Sequence, residues 1–297
     1  MMIKANGLEL HVEQRGAGGP TLVFLHYWGG SLRTWQHVVD ALSPDYRTVA
    51  IDQRGWAKSA APEAGYALSD LADDVLAVVD ALGLESYILI GHSMGGKAAQ
   101  LAASRRPRGL AGLVLVAPAP PTPLALPLDA RQGMVHAYDS RESIVATVQQ
   151  VLAPGGLSDG DLDTVIADSL AGASPAKAAW PLATSQEDIT AVVPKIDVPV
   201  IVISGEHDRV DPPEVLRREL LSRIPQARLV VLQGRGHLLP LEAPADLTSI
   251  IKAFVLAQPK GGFFALTDSQ REVALTRCGD CGVARLTASA GDASRHP

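Results

Sequence analysis

The chain has 297 residues, 47% hydrophobic and 20% charged, with a net charge of −6. That length and balance suit one large packed domain with a modest insertion. They exclude a nucleic-acid stripe, a membrane span and a disulfide framework: no basic cluster stands out, no apolar window is long enough, and the only cysteines are Cys278 and Cys281.

Residues 1–16 carry polar residues throughout and lack an apolar core of signal-peptide length, so the expected location is the cytoplasm. Residues 2–14 alternate around Asn6-Gly7, a hairpin signal. Residues 21–25, Thr-Leu-Val-Phe-Leu, read as a buried strand. A helix over 34–42 and a strand over 47–51 follow. Residues 69–82, "SDLADDVLAVVDAL", place apolar residues at helical spacing behind Ser69 as the cap. Residues 86–90 form a short apolar strand, and 94–105 a helix that ends before Pro107. A strand at 112–117 completes the first half.

The next stretch breaks the rhythm. Residues 118–128, "PAPPTPLALPL", hold five prolines and fit neither helix nor central strand. Residues 129–190 read as short helices interrupted at Pro154-Gly155-Gly156 and Pro175. Residues 120–190 are therefore expected to be a helical cap inserted after the sixth strand. Met134, His136, Tyr138 and Trp180 are large enough to line a pocket beneath it, and a cap core would use them equally well. Strand and helix alternation resumes with a strand at 198–204, a helix at 212–222, a strand at 228–232 and a helix at 242–257. The pattern predicts an α/β fold, a mostly parallel doubly wound sheet built from 1–119 and 191–258. Residues 259–297 show little periodicity and are expected to form a loosely docked or mobile tail. Its Cys278-x-x-Cys281 pair has only His296 nearby, short of the four ligands a zinc site wants, so no metal is expected.

"GHSMGG" at 91–96 joins the 86–90 strand to its helix. A serine on that turn needs a strained backbone, and Gly91 and Gly95 remove the collisions that side chains would cause. Its oxygen stands exposed at a helix N-terminus, where free N–H groups favour negative charge. A serine hydroxyl also needs a base, and the base an orienting acid. In an open α/β sheet such groups gather at the carboxyl ends of strands. The 198–204 strand ends in "GEHDRVDPPE" and the 228–232 strand in "QGRGHLLPLEAP". The order Ser93, Asp208, His237 fits nucleophile, acid and base. Asp211 is the alternative acid, its expected role being to cap the helix near Pro212; His207 is read as structural.

These three loops, with "DQRGWAKS" at 52–59, resemble the α/β-hydrolase superfamily, in particular its small esterases, lactonases and cofactor-free haloperoxidases. The resemblance spans about residues 3 to 257. Ala57 stands where relatives usually carry a glycine. Carried over, it implies Ser93 as nucleophile, His237 as base and then acid, and Asp208 as the residue orienting it. One oxyanion donor is then the backbone N–H of Met94. The other comes from "HYWGGS" at 26–31, where relatives usually show H-G-x-P. Trp28 occupies the donor position, with Tyr27 as the substitute, and Gly29 replaces the proline. The Tyr27 and Trp28 side chains either wall the acyl pocket or pack under the cap. His26 is read as structural.

The expected activity is hydrolysis of a small carboxylic ester or lactone through an acyl-enzyme on Ser93. Neither cofactor nor metal is expected, nor a nucleic-acid or membrane partner, and a homo-oligomer stays open. Perhydrolase or haloperoxidase-type chemistry and C–C bond hydrolysis use the same triad. A non-catalytic ligand-binding protein is the alternative from another class. Serine at position 93 disfavours carbon–halogen displacement, which uses aspartate at that turn.

Overall fold

The computed structural model describes residues 1–258. The expectations for 259–297, with Cys278, Cys281 and His296, lie outside the described residues. β1 (Met2–Ala5) and β2 (Leu8–Arg15) form the expected hairpin around Asn6-Gly7, both of which hold positive φ. Six further strands follow: β3 (Thr21–Leu25), β4 (Thr48–Ile51), β5 (Tyr87–His92), β6 (Leu110–Val116), β7 (Val200–Gly205) and β8 (Arg228–Leu232). They make one eight-stranded sheet in the order β1-β2-β4-β3-β5-β6-β7-β8. The β1–β2 and β2–β4 pairings are antiparallel; from β4 to β8 along the sheet every pairing is parallel.

The central strands are apolar without alternation because both faces are covered. Every residue of β3 and of β5 is buried. Leu22 and Phe24 point to one layer, Val23 and Leu25 to the other. The first layer is closed by α1 (Gln36–Leu42) and α10 (Pro244–Leu256), through Val38, Leu42, Leu247 and Ile251. The second is closed by α2 (Leu68–Ala81) and α3 (Met94–Ser104), through Val75, Val79, Ala98 and Ala102.

Several boundaries differ from the sequence reading. α2 starts at Leu68, so Ser69 lies inside it; the Asp70 carboxylate takes the N–H of Ala67 at 2.9 Å and does the capping instead. The 34–42 helix is preceded by a 3₁₀ turn, Leu32–Trp35, capped by Ser31 Oγ, which accepts from Arg33 N at 3.0 Å. The 212–222 segment is a short α8 (Pro213–Leu216) running into a wide π turn, Arg217–Leu221. The last helix is preceded by α9 (Leu239–Glu242), the break falling at Ala243, before Pro244.

Between β6 and β7 the chain leaves the sheet in four helices: α4 (Leu128–Met134), α5 (Arg141–Thr147), α6 (Asp159–Ala171) and α7 (Ser174–Leu182). Pro154-Gly155-Gly156 separates the end of the α5 segment from α6, and Pro175 sits in the first turn of α7, where its missing N–H costs nothing.

Candidate active site

β5 runs into α3 through Ser93, whose backbone holds φ 53 and ψ −114. That is sparsely populated for any residue with a side chain and persists only where the surroundings over-determine it. They do. Ser93 N donates to Val116 O at 3.1 Å, and Ser93 O accepts from Lys97 N and Ala119 N, both at 3.1 Å. The glycines behave as their positions require. A Cβ on Gly91 would overlap the Gly95 carbonyl, and one on Gly95 would lie 2.6 Å from His26 O. The start of α3 is thereby pressed against the loop that leaves β3. Met94 opens α3, and its N–H has no protein acceptor among the described residues.

That loop is held from the core side by His26. Gln53 N donates to His26 Nε2 at 3.0 Å, so the imidazole proton sits on Nδ1, which donates to Tyr27 O at 2.7 Å. Burial depresses the His26 pKa, which agrees with the neutral ring this geometry needs. Tyr27 O also accepts from Gly30 N at 3.1 Å. The peptide unit that carries the Trp28 N–H is thus fixed through its carbonyl. Trp28 N, like Met94 N, donates to no protein acceptor among the described residues. The 52–59 loop supports the same region: Asp52 Oδ1 accepts from Leu32 N at 2.8 Å, and Arg54 is buried against Asp74. Ala57, in the glycine position, has φ 48.

β7 ends in Gly205, where a Cβ would overlap the Arg235 and Gly236 carbonyls. This close approach lays the two strand-end loops together. His207 N donates to Arg235 O at 2.8 Å, and the Asp208 carboxylate reaches His237 Nδ1 at 2.9 Å. Asp208 also accepts, on Oδ1, from Val210 N at 2.8 Å and Asp211 N at 3.1 Å. Both partners are buried. His237 N donates to Leu152 O at 2.7 Å, which ties its loop to the segment after α5. Its carbonyl accepts from His92 Nε2 at 2.8 Å, with the two rings 5.2 Å apart. The residue beside Ser93 therefore holds the backbone of His237. Among the described residues no hydrogen bond joins the Ser93 hydroxyl to the imidazole. Such contacts are often long before substrate binds.

The electrostatics follow from burial and one dominant charge. Burial opposes protonation of His237, but Asp208, helped by Asp211 and Glu242, outweighs it and raises the pKa. His92 is held well below its ordinary value by burial and by His237. Asp211 does not cap α8, whose first turn begins two residues later at Pro213. It is buried beside Asp208, and burial together with that like charge pushes its pKa up to about 8. Lys97 is also buried; desolvation brings it down to about 8, against the pull of Asp211, and its Nζ donates to Thr122 O at 2.9 Å.

Among the side chains expected to line a pocket, Trp180 does so, in a narrow cleft with Trp56, Tyr66, Leu71 and Met94. Tyr138 is buried with its ring centroid 4.3 Å from that of Trp28. Tyr27 is buried against His92, Met134 is half-buried, and His136 and His207 are solvent-exposed. A wider groove between α1, α6 and α9, lined by His37, Asp161 and Leu241, contains none of these groups. No group of three metal-ligating side chains occurs among the described residues, and no described helix is long and apolar enough to cross a membrane. Sequence reasoning missed His92, Gln53 and Lys97. Only Lys97 left a signal: a cation one helical turn after Ser93, in a helix that opens with small and apolar residues.

A family model described as alpha/beta hydrolase fold matches residues 20–153. A non-heme chloroperoxidase from Streptomyces lividans is 30% identical over 80% of this chain and 92% of its own length. An esterase from Exiguobacterium antarcticum superposes with a TM-score of 0.80 at 25% identity, over 86% of this chain and 99% of its own. The enol-lactonase from Burkholderia xenovorans LB400 superposes with a TM-score of 0.77 at 25% identity, over 86% of this chain and all of its own (100%).

Proposed function

We propose that this chain, which belongs to the α/β hydrolase fold family, is a serine hydrolase of small carboxylic esters or lactones. The observation that carries the reading is the buried Asp208–His237 contact at 2.9 Å, fastened through His92 to the strained turn that presents Ser93. The ester and lactone classes are favoured by the likeness to an esterase and an enol-lactonase.

In this reading Ser93 Oγ attacks the substrate carbonyl while His237 Nε2 takes its proton. Asp208 keeps the imidazole in the tautomer with Nδ1 protonated and stabilises the cation that forms. Negative charge moves to the carbonyl oxygen, opposite the N–H groups of Met94 and Trp28. Each such donor is worth about 3–4 kcal/mol in the transition state. The intermediate collapses, the C–O bond breaks, and His237 returns the proton to the departing alkoxide. Water then gives its proton to His237 and attacks the acyl group, and Ser93 leaves protonated. The cleft walled by Trp56, Met94 and Trp180 has a volume of about 10 Å³, room for no more than a water, so the acyl or alcohol portion would enter only as these side chains part. Transfer of the acyl group to hydrogen peroxide uses the same steps with peroxide in place of water, and the similarity to a chloroperoxidase favours this as the second reading.

A panel of p-nitrophenyl esters and lactones of graded length tests the proposal. Ser93→Ala and His237→Ala should each lower kcat on the order of a millionfold, Ser93→Ala with a melting temperature near wild type and His237→Ala with a lowered one, since it strands the buried Asp208. Retention of a few per cent of activity by either variant contradicts the assigned roles.

A further inference from the structure

The loop after β3 has a problem that its sequence creates. Gly29 and Gly30 follow Trp28 directly, and glycine loses more conformational freedom on ordering than any other residue. Gly29 sits at φ 99. A loop of this composition does not hold a backbone N–H in one direction by itself. The direction of the Trp28 N–H is set by its own peptide plane, and where that plane sits depends on how the rest of the loop is seated. His26 and Gly30 N fix the plane on the N-terminal side, through Tyr27 O.

The two planes that follow Trp28 are held from the helical excursion. Tyr138 OH donates to Trp28 O at 2.9 Å, and Ser169 Oγ donates to Gly29 O at 2.8 Å. Gly29 is what admits the tyrosine, since a Cβ there would overlap the Tyr138 ring. The circuit closes through Lys177: Trp28 Nε1 donates to Lys177 O at 3.2 Å, and Lys177 Nζ donates to Tyr138 O at 2.9 Å. Ser31 Oγ donates to Asp168 Oδ2 at 2.7 Å, one residue before Ser169. Tyr138 and Ser169 are almost fully buried, so these bonds are not exchanged with solvent.

We infer that Tyr138 and Ser169 are positioning residues, through which the helical excursion shapes the oxyanion-binding loop. The inference rests on the serine-hydrolase reading. It gives the excursion a duty in the site: α6 and the turn at Tyr138 seat the C-terminal half of the loop, and with it the position of the Trp28 donor. Neither side chain touches the reacting atoms. Their effect passes through the position of the Trp28 N–H, which matters in the transition state more than in substrate binding.

Tyr138→Phe removes one oxygen and keeps the ring; Ser169→Ala removes one hydroxyl. Loss of a whole oxyanion donor costs about 10²–10³-fold in kcat, and a loosened donor should cost less, about 10–100-fold. Steady-state kinetics of both variants on the best p-nitrophenyl ester, beside binding of a phenylboronic acid that adds to the serine, give the readout. The expected result is a fall in kcat of that size with KM moved less than about threefold, and boronate affinity falling in parallel with kcat/KM. Ser169→Ala stands as the independent variant should Tyr138→Phe fold poorly. An unchanged kcat in a folded variant, or a raised KM with kcat intact, overturns the inference, because the residues would then only line or support the cleft. Failure of the underlying reading looks different: Ser93→Ala would turn over as fast as wild type, and both proposals would fall together.

Discussion

His237 and Asp211 are two buried groups whose titrations have consequences of predictable sign. In the proposed mechanism the base must be neutral to accept the Ser93 proton, and Asp208 raises the His237 pKa against the opposing effect of burial. The acid limb of kcat/KM should therefore have its midpoint above 6.5, the ordinary value for histidine. In Asp208→Asn burial acts with less opposition, so the midpoint should move down, and kcat should fall about 10⁴-fold, as when an orienting aspartate is neutralised. An unmoved midpoint in a pH–rate profile would mean that Asp208 does not govern the base. Asp211 is raised from 3.8 to about 8, so between those values the folded chain holds a proton that the unfolded chain has released. Stability contributed by this group is present at low pH and is lost as pH rises toward 8. Asp211→Asn should flatten that decline in urea titrations at several pH values, and should cost far less activity than Asp208→Asn. Both carboxylates stand in the same loop, so the sequence could nominate either as the acid. Asp211 looked like a helix cap because prolines follow it. The helix begins at Pro213, which leaves Asp211 free to turn inward.

The elements most legible in the sequence were those with an unbroken period: β3, β5 and the body of α2 lie where their apolar spacing put them. Caps and helix ends were less legible because they depend on single contacts, as with Asp70 at Ala67. The shape of the loop after β3 was not legible at all. It is set by His26 from one side and by Tyr138 from the other, residues 112 positions apart (138 minus 26) that no periodicity connects. The elbow was legible because two glycines and a serine at fixed spacing leave few backbone solutions. It also yields a prediction. Gly95→Ala puts a methyl 2.6 Å from the His26 carbonyl, and backbone must move to admit it. The cost should be about 1–3 kcal/mol in urea unfolding, as for overpacked interiors, with a loss of turnover as α3 separates from the loop. An unchanged stability would mean that this contact is looser than described. Ala57 works the other way. At φ 48 it occupies a region costing an alanine about 1–2 kcal/mol. Ala57→Gly should therefore leave stability equal or slightly higher, despite glycine's entropy.

Across the whole molecule, the sheet places the site. β5 supplies the Ser93 turn from the centre, β7 and β8 carry the Asp208 and His237 loops at one edge, and β3 carries the Tyr27–Gly30 loop on the other side of β5. All four loops leave the carboxyl ends of parallel strands, so they meet above one edge of the sheet, where an open α/β fold gathers its chemistry. The excursion between β6 and β7 touches three of them, through Ser93 O, Trp28 O and His237 N. Every named group lies within Met1–Gln258, one compact unit. A chain ending at Gln258 should thus unfold cooperatively and keep its turnover; loss of either would assign residues 259–297 a part in the site. The most direct measurement is peptide mapping by mass spectrometry after reaction with a fluorophosphonate. One adduct per chain is expected, on the peptide containing Ser93, absent from Ser93→Ala and slowed in His237→Ala. An adduct on a different residue, or steady ester turnover by a chain that cannot be labelled, would contradict it.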